Sequence, residues 1–241
     1  MIFGAVLAGG TGQRMGSAIP KQFMDLAGRP VIIRTLGKFL ACEKLDALYL
    51  GVPGDWLEYT RDLIKQYLPG RADEVKLVCG GADRNETLFS VISRIEADHG
   101  ESKEHIIITH DAVRPFVTLR MIEENIEKAE EYGAVDTVIP SVDTIVISED
   151  GKLINEIPER RLMYRSQTPQ SFKITLLKEL YGSLTDEEKG ILTDACKICV
   201  LKGQPVVAAE GSGSNMKITT AEDLDIALAI ALKEDRERDA G

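Results

Sequence analysis

Apolar residues recur along this chain in two alternating patterns. Helices are predicted where apolar positions are spaced three and four residues apart, over residues 31–41, 55–67, 85–98 and 119–132. Buried strands are predicted by near-continuous apolar runs, at residues 2–7, 45–52, 75–78, 106–109 and 135–139. Strands of this kind that alternate with helices are typical of a parallel sheet covered on both faces. We therefore predict an α/β fold with a doubly wound, mostly parallel sheet.

The alternation stops after Pro140. Two stretches, 142–148 and 152–157, flank Glu149-Asp150-Gly151, and Asp-Gly between such stretches indicates a β-hairpin. We expect this hairpin to protrude as an arm, at about residues 141–165, from a single domain spanning 1–241. Downstream we predict a return segment at 163–172, helices near 174–183 and 186–202, a strand at 206–210, a helix from about 221 to 233, and a frayed charged end at 234–241.

Composition narrows the class of protein. Hydrophobic residues make up 44% of the 241 residues and charged residues 28%, which is ordinary for a globular protein. A net charge of −10 argues against general binding to nucleic acid or to a membrane surface. No apolar run approaches the ~18 residues of a membrane span, and Met1 leads directly into a strand. We expect a cytoplasmic protein.

The cysteines and histidines do not form a recognisable metal pattern. Cys196 and Cys199 form a C-x-x-C inside an apolar-periodic stretch, without a second cysteine pair or a nearby histidine. A structural zinc site needs four ligands. We therefore predict two buried thiols on a helix.

A glycine-rich loop follows the first predicted strand. Four glycines lie in the eight residues from Gly9 to Gly16, with Arg14 among them and Lys21 five residues further on. Without Cβ atoms, backbone N–H groups can approach a ligand closely and form a concave anion site. The spacing fits neither the dinucleotide fingerprint nor the P-loop, which excludes a nicotinamide dehydrogenase. The loop is predicted to bind a triphosphate, the alternative being an ordinary strand-to-helix turn with surface charges.

Two further segments follow predicted strands. The segment 80–87 begins with two glycines, and its Asn85 or Thr87 could bond a base edge, although Asp83 or Asn85 could instead cap a helix. Asp111 ends the fourth strand, where a carboxylate can hold Mg²⁺ or simply act as a cap. Arg114, close by, could pair with Asp111 or face phosphate.

The carboxyl-terminal half adds three candidate residues. Arg160 could bind a phosphate monoester in bidentate fashion or be a surface charge. Thr193 opens a predicted helix, where an N-cap is the plain alternative to a ligand contact. Lys217 lies between apolar residues on a predicted short strand, and an inward-pointing cation there requires an anion.

The motifs from Leu7 to Asp223 resemble one family as a set. L-A-G-G-x-G-x-R-M-G followed by P-K-Q-F is similar to the opening of the cytidylyltransferases for small polyol phosphates, the family shared by the 2-C-methyl-D-erythritol 4-phosphate and ribitol 5-phosphate enzymes. The ribitol branch is favoured by several local features: Leu7-Ala8-Gly9-Gly10, Asn85-Glu86-Thr87, Val113, Tyr164 and Asp194-Ala195-Cys196-Lys197.

The resemblance implies a Rossmann-like nucleotidyltransferase fold and a reaction. CTP and D-ribitol 5-phosphate would give CDP-ribitol and pyrophosphate, for a teichoic acid or related cell-wall polymer. By similarity, Arg14, Lys21 and Lys217 would act on the triphosphate, with Mg²⁺ near Asp111. The methylerythritol enzyme and a CTP-binding module without turnover remain the alternatives.

The resemblance also assigns residues to the two substrates. The polyol phosphate would be positioned by Arg160, Thr144, Thr168 and Thr193. The nucleotide would be cradled by Leu7, Ala8, Gly9, Gly10, Gly80, Gly81, Ala82, Asp83, Arg84, Asn85, Glu86, Thr87 and Ala112. The arm would pack against a second subunit, giving a homodimer with Arg160 near the partner's site.

Overall fold

The computed structural model describes residues 1–9 and 19–239, with side chains up to residue 237. Gly10 and Arg14, both predicted site residues, lie outside the described residues. The strands are β1 Ile2–Leu7, β2 Asp25–Leu26, β3 Arg29–Pro30, β4 Ala47–Val52, β5 Val75–Cys79, β6 Ile106–Asp111, β7 Ala134–Pro140, β8 Tyr164–Lys173 and β9 Val207–Glu210. The helices are α1 Val31–Leu40, α2 Leu57–Tyr67, α3 Arg84–His99, α4 Leu119–Tyr132, α5 Ile174–Gly182, α6 Asp186–Gly190, α7 Ala195–Leu201 and α8 Ala221–Asp239.

Seven of the described strands form one sheet in the order β5-β4-β1-β6-β8-β7-β9. Neighbours are parallel except at β8, which runs antiparallel to both β6 and β7. The prediction of an α/β fold with a mostly parallel sheet is confirmed. Because β8 is reversed, its first residues lie at the same edge as the carboxyl ends of β1, β6 and β7.

Both faces of the sheet are covered by helices, which explains the near-continuous apolar strands. In β1, Phe3 and Leu7 face the layer of α3, α5 and α7, whereas Val6 faces the layer of α1, α2 and α4. A third apolar cluster joins α8 to the loops around Leu26 and Ile218. None of the described helices combines the length and apolar character that crossing a bilayer requires.

The predicted helix at 186–202 is two helices in the structure. A capping box at Thr185 starts α6, and Asp194 starts α7 by accepting a hydrogen bond from Lys197 N at 2.9 Å. The cap of α7 is therefore Asp194 and not Thr193, the alternative suggested by the sequence. Cys196 and Cys199 are buried on α7, as predicted.

The segment between β7 and β8 does not contain the predicted hairpin strands. Within 142–157 a single antiparallel bridge joins Ile147 to Glu156, where a ladder was expected. The Asp-Gly turn itself forms, because Gly151 has a φ of +68° and Asp150 Oδ1 accepts hydrogen bonds from Lys152 N and Leu153 N. A two-stranded ribbon with no covering surface is marginal in isolation, and here its apolar side chains are exposed.

The C-terminal helix extends further than predicted. The sequence indicated fraying from residue 234, but α8 continues to Asp239. Glu234 and Asp235 form ion pairs with α1, at 3.0 Å to Lys38 Nζ and 2.7 Å to Arg34 Nη2. Charged residues that find partners on a neighbouring helix favour continued helical structure.

Candidate active site

A cleft of about 340 Å³ opens at the carboxyl ends of β1 and β6. This is the edge at which ligands bind in open α/β sheets. Its lining residues are Leu7, Ala8, Gly9, Lys21, Gln22, Ala82, Asp83, Arg84, Asp111, Ala112, Val113 and Lys217. Most of them belong to the predicted site, but Gln22 was not among the candidates. Its amide is buried and donates to Ala8 O at 2.9 Å, which fixes the segment after β1.

Asp111 lies at the centre of the cleft's charges. Its carboxylate is 3.0 Å from Arg84 Nε, 3.7 Å from Arg114 Nε and 2.8 Å from Lys217 Nζ. Burial would raise the pKa of Asp111, but Arg84, Lys217 and Arg114 outweigh burial and hold this pKa well below its usual range. Three cations face this carboxylate, and together with Lys21 they outnumber the two carboxylates of the cleft, Asp111 and Asp83. Such a surface suits a polyanionic ligand.

Arg84 was predicted only as a member of the nucleotide-binding segment 80–87, but in the structure it is also one of the cations of the cleft. Its side chain is 21% exposed, and its Nε contacts Asp111. Nη1 and Nη2 are buried and have no hydrogen-bond partner among the described residues. Asp83 caps α3 by accepting from Glu86 N at 2.8 Å, which places Arg84 in the first turn at the cleft wall. A guanidinium held by one nitrogen edge presents its other nitrogens to a phosphate.

Lys217 reaches Asp111 from a loop, not from the short strand that the sequence indicated. Asn215 anchors this loop by donating to Thr168 O at 2.8 Å and accepting from Arg114 Nη1 at 2.8 Å. Ile218 N donates to Val113 O at 3.0 Å on the other side of the lysine. Lys217 does pair with an anion, Asp111, but its side chain is 41% exposed, so it is not the inward-pointing cation that the sequence predicted.

His110 and Thr168 support the site from below. Asp111 N donates to Thr168 Oγ1 at 3.1 Å, and Thr168 Oγ1 lies 2.9 Å from His110 Nδ1. His110 Nε2 lies 3.0 Å from Arg114 O, and burial lowers the pKa of His110 to about 4. A neutral imidazole that donates to Arg114 O and accepts from Thr168 fits both contacts. Thr168, which the resemblance assigns to substrate positioning, also holds the Asp111 backbone.

Thr87 does not face the cleft, although the sequence suggested a contact with a base. It is fully buried and donates to Asp83 O at 2.7 Å. A Cβ added to Gly9, Gly51 or Gly80 would lie 2.5–2.9 Å from its side chain, so these glycines allow the strand ends to rest on Thr87.

Other members of the segment 80–87 also support the loop without lining the cleft. Glu86 accepts from Ala82 N at 2.8 Å, and a Cβ on Gly81 would meet Glu86 at 2.3 Å. Asn85 is buried, and its Oδ1 has no partner in the described parts of the chain. Of the segment, Ala82, Asp83 and Arg84 line the cleft directly.

Three predicted substrate residues do not line the cleft in this chain. Arg160 and Thr144 are exposed on the segment between β7 and β8, where Arg160 Nη1 donates to Val142 O at 3.4 Å. Thr193 is exposed before α7.

The donor set for a divalent cation is small. No group of three histidine, cysteine or acidic side chains suited to a metal occurs in the described chain. Asp111 supplies one carboxylate in the cleft, beside cations that can hold phosphates. Mg²⁺ usually takes one or two carboxylates together with substrate phosphates and water, so Asp111 fits a cation that arrives with a triphosphate.

Comparison with known proteins places the chain in a family. The family model described as "IspD: 2-C-methyl-D-erythritol 4-phosphate cytidylyltransferase" matches residues 2–233. The chain belongs to this family. The resemblance drawn from the motifs is thereby confirmed, as is the enzyme class, a cytidylyltransferase.

Relatives distinguish the two branches of this cytidylyltransferase family. The ribitol-5-phosphate cytidylyltransferase of Streptococcus pneumoniae (strain ATCC 700669 / Spain 23F-1) is 49% identical over 235 residues, covering 97% of this chain and 100% of the relative. A solved 4-diphosphocytidyl-2C-methyl-D-erythritol synthase from Anaerococcus prevotii DSM 20548 has a TM-score of 0.78 at 26% identity, covering 95% of both chains. The 2-C-methyl-D-erythritol 4-phosphate cytidylyltransferase of Thermus thermophilus has a TM-score of 0.71 at 27% identity, covering 96% of this chain and 99% of that one.

Proposed function

We propose that this family member transfers the cytidylyl group of CTP to D-ribitol 5-phosphate, giving CDP-ribitol and pyrophosphate. The cation cluster around Asp111 carries the proposal, because it lies in a cleft beside Lys21 and suits a triphosphate. The choice of polyol rests on the 49% identity to the streptococcal ribitol-5-phosphate enzyme over nearly the full length. The enzyme would act in the cytoplasm. Its product, CDP-ribitol, would be used to synthesise a teichoic acid or a related cell-wall polymer.

The reaction requires no general base. A phosphate oxygen of ribitol 5-phosphate attacks the α-phosphorus of CTP in line, a P–O bond to pyrophosphate breaks, and the leaving group carries away the electron pair. The attacking oxygen is already anionic near neutral pH. The buried His110 has both ring nitrogens bonded, so it is not available as a base. Catalysis would therefore rest on positioning and on charge stabilisation at phosphorus.

The residues of the cleft divide this work. Lys21 and Lys217 would neutralise the triphosphate, together with Arg14. Arg84 would offer Nη1 and Nη2 to a phosphate, while its bond to Asp111 fixes the guanidinium. Asp111 would hold Mg²⁺, which would supply further neutralisation of the phosphate charge. Leu7, Ala8 and Gly9 would support the nucleotide.

The arm supports a homodimer. Arg160 and Thr144 lie on a segment whose apolar side chains are exposed, including Val142 at 72%, Leu153 at 69% and Ile154 at 62%. Exposed apolar surface of this kind marks an interaction site. In the proposed dimer this surface packs on a second copy, and Arg160 seats the polyol phosphate in the partner's cleft.

Pyrophosphate release tests the function directly. The purified chain is incubated with CTP, MgCl₂ and either ribitol 5-phosphate or methylerythritol 4-phosphate, and then with both at equal concentration. We expect a dominant CDP-ribitol product by mass. A dominant CDP-methylerythritol product would assign the chain to the activity named by the family model and the solved structures. CTP binding without pyrophosphate release from any polyol phosphate would indicate a sensor.

A further inference from the structure

A second polar group lies on the sheet face that carries Asp111. In β6, Asp111 and Thr109 are two residues apart and therefore share a face. Thr109 pairs with Gln170 of β8, and Gln170 pairs with Asp136 of β7. Asp136 is thus two strand spacings from β6, about 10 Å across the sheet. It lies on the side covered by α3 and α7.

The contacts of this group are incomplete. We name Asp136, Ser166 and Gln170 the Asp136 cluster. Asp136 Oδ1 accepts from Ser166 Oγ at 2.9 Å and from Gln170 Nε2 at 3.0 Å. In the described part of the chain, no amide or hydroxyl group donates to Asp136 Oδ2, and the Cys196 thiol nearby is only a weak donor. Gln170 is 1% exposed, and its Oε1 has no partner among the residues that the structure describes. Two acceptor atoms are therefore left without a strong donor.

A purely structural role does not account for the cluster. Buried polar atoms without partners cost free energy, typically ~1–3 kcal/mol each. Burial, with Asp194 adding negative charge, raises the pKa of Asp136 to about 6, so at neutral pH a charge is held where it is disfavoured. An apolar residue on β7 would pack there at lower cost. The arrangement suits a ligand that brings hydrogen-bond donors.

Two of the three residues of the Asp136 cluster reach solvent, and the cluster lies on the same sheet face as Asp111 without lining the cleft. Ser166 is exposed and Asp136 is partly exposed. Arg84, which lines the cleft, and Asp194, which follows the predicted substrate residue Thr193, both interact electrostatically with the buried thiol of Cys196, as Asp136 also does. Arg84, Asp194 and Asp136 therefore all lie near the first turn of α7, which contains Cys196.

We propose that the Asp136 cluster binds hydroxyl groups of the polyol chain and determines which polyol phosphate this enzyme accepts. This inference rests on the proposed function. Polyol hydroxyls are donors, and Asp136 Oδ2 and Gln170 Oε1 are the acceptors that lack strong donors. With its phosphate beside the α-phosphorus of the CTP bound at Asp111, the polyol extends toward β7. Asp136 is a specificity residue and takes no part in the chemical step.

The expected discrimination follows from the count of hydroxyls. Ribitol 5-phosphate has four hydroxyl groups, whereas methylerythritol 4-phosphate has three and a methyl branch. A site built to bond a hydroxyl rejects the analogue without it by up to about 10⁴-fold, whereas a methyl group changes selectivity by only about 10–200-fold. The cluster thus accounts for a strong preference with few residues.

The test compares Asp136→Ala, Asp136→Asn and Gln170→Leu with the parent enzyme. The matched control is Val135→Ala, which alters the neighbouring position on the opposite face of β7. We expect Asp136→Ala to raise KM for ribitol 5-phosphate at least about tenfold and to lower its preference over methylerythritol 4-phosphate by a similar factor. KM for CTP should stay within about twofold in every variant, and thermal melting shows which variants fold.

The outcomes separate the inference from the function on which it rests. Unchanged KM for ribitol 5-phosphate and unchanged preference in a folded Asp136→Asn or Gln170→Leu variant would overturn the inference alone. An equal rise in KM in Val135→Ala would also overturn it, because the effect would then come from strand packing. A parent enzyme that releases no pyrophosphate with any polyol phosphate would reject the proposed function itself, and with it the inference.

Discussion

The cleft and the arm are built in opposite ways. Around Asp111, three cations pair with one carboxylate of the same chain, and the carboxylate side chain is 8% exposed. On the arm, apolar side chains such as Leu153 and Ile154 are more than 60% exposed. The first region pairs its charges within one chain, whereas the second leaves uncovered the surface that proteins normally bury. We therefore expect the cleft to lose activity when a single charge is removed, and the arm to depend on association with a second chain.

Removing the carboxylate of the cleft should have the largest effect. In Asp111→Ala three cations lose their common partner, and breaking a buried pair costs ~3–5 kcal/mol. We expect kcat to fall by about 10²–10³-fold and the melting temperature to fall as well. The matched control is Asp98→Ala, which removes a carboxylate bonded to Tyr49, Lys76 and Arg94. It should lower stability but not kcat, and an equal loss of kcat in the control would contradict the assignment.

Lys21→Ala should lower activity without affecting stability. Lys21 lines the cleft on a short 3-10 turn outside the sheet. Loss of one group that stabilises developing charge typically lowers kcat by about 10²-fold or more. The same result is predicted for Arg14→Ala. Lys38→Ala, which removes an ion pair between α1 and α8, is the control with unchanged kcat. Near-normal turnover in Lys21→Ala would refute the mechanism.

The arm can be tested by mixing inactive chains. If Arg160 acts in the partner's cleft, Arg160→Ala and Lys21→Ala chains mixed together should recover part of the parent activity, because some mixed dimers contain one intact site. Light scattering should show a dimer for the parent. Leu153→Ser with Ile154→Ser should shift the population toward monomer and lower activity. A fully active monomer at micromolar concentration would exclude shared sites.

The smallest effect concerns stability and pH. The pKa of Asp136 is raised to about 6 in the fold from an ordinary value of 3.8, so the folded state binds this proton more tightly. Protonated Asp136 therefore contributes up to about 3 kcal/mol to the free energy of unfolding. This contribution is fully present below pH ~4 and is lost as the pH rises through about 6. Asp136→Asn should therefore melt higher than the parent at pH 7.5 but not at pH 4. If Asp136→Asn and the parent melted alike at both pH values, the charged carboxylate would not destabilise the fold.

Periodicity predicted most of the fold, because burial on both sheet faces leaves near-continuous apolar strands. The strand predicted at 106–109 is β6, Ile106–Asp111, and the helix at 119–132 is α4 with the same bounds. The antiparallel direction of β8 was not predicted, because the residues of a strand do not specify which strands it pairs with. The missing ladder of the arm has the same origin: Asp-Gly specifies a turn but supplies no surface for the strands.

In the site, individual residue types were predicted better than their pairings. The need of Lys217 for an anion followed from its apolar neighbours, but Arg84 and Asp111 are 27 residues apart and meet only because the sheet order brings α3 beside β6. The role of Thr87 could have been found. It precedes Leu88, Val91 and Ile95 on the buried face of α3, and this spacing predicts an inward side chain.

Thr87 also has a consequence for how this chain can vary. Gly9, Gly51 and Gly80 come from three separate strands or strand ends, and each approaches the same small side chain. Substitution of any one glycine by alanine would require a smaller residue at position 87, whereas a larger residue at 87 would displace all three strands at once. The four positions thus form an epistatic set, in which one member can change only after another has made room. Replacement of any of these glycines would therefore first require a smaller residue in place of Thr87 of α3.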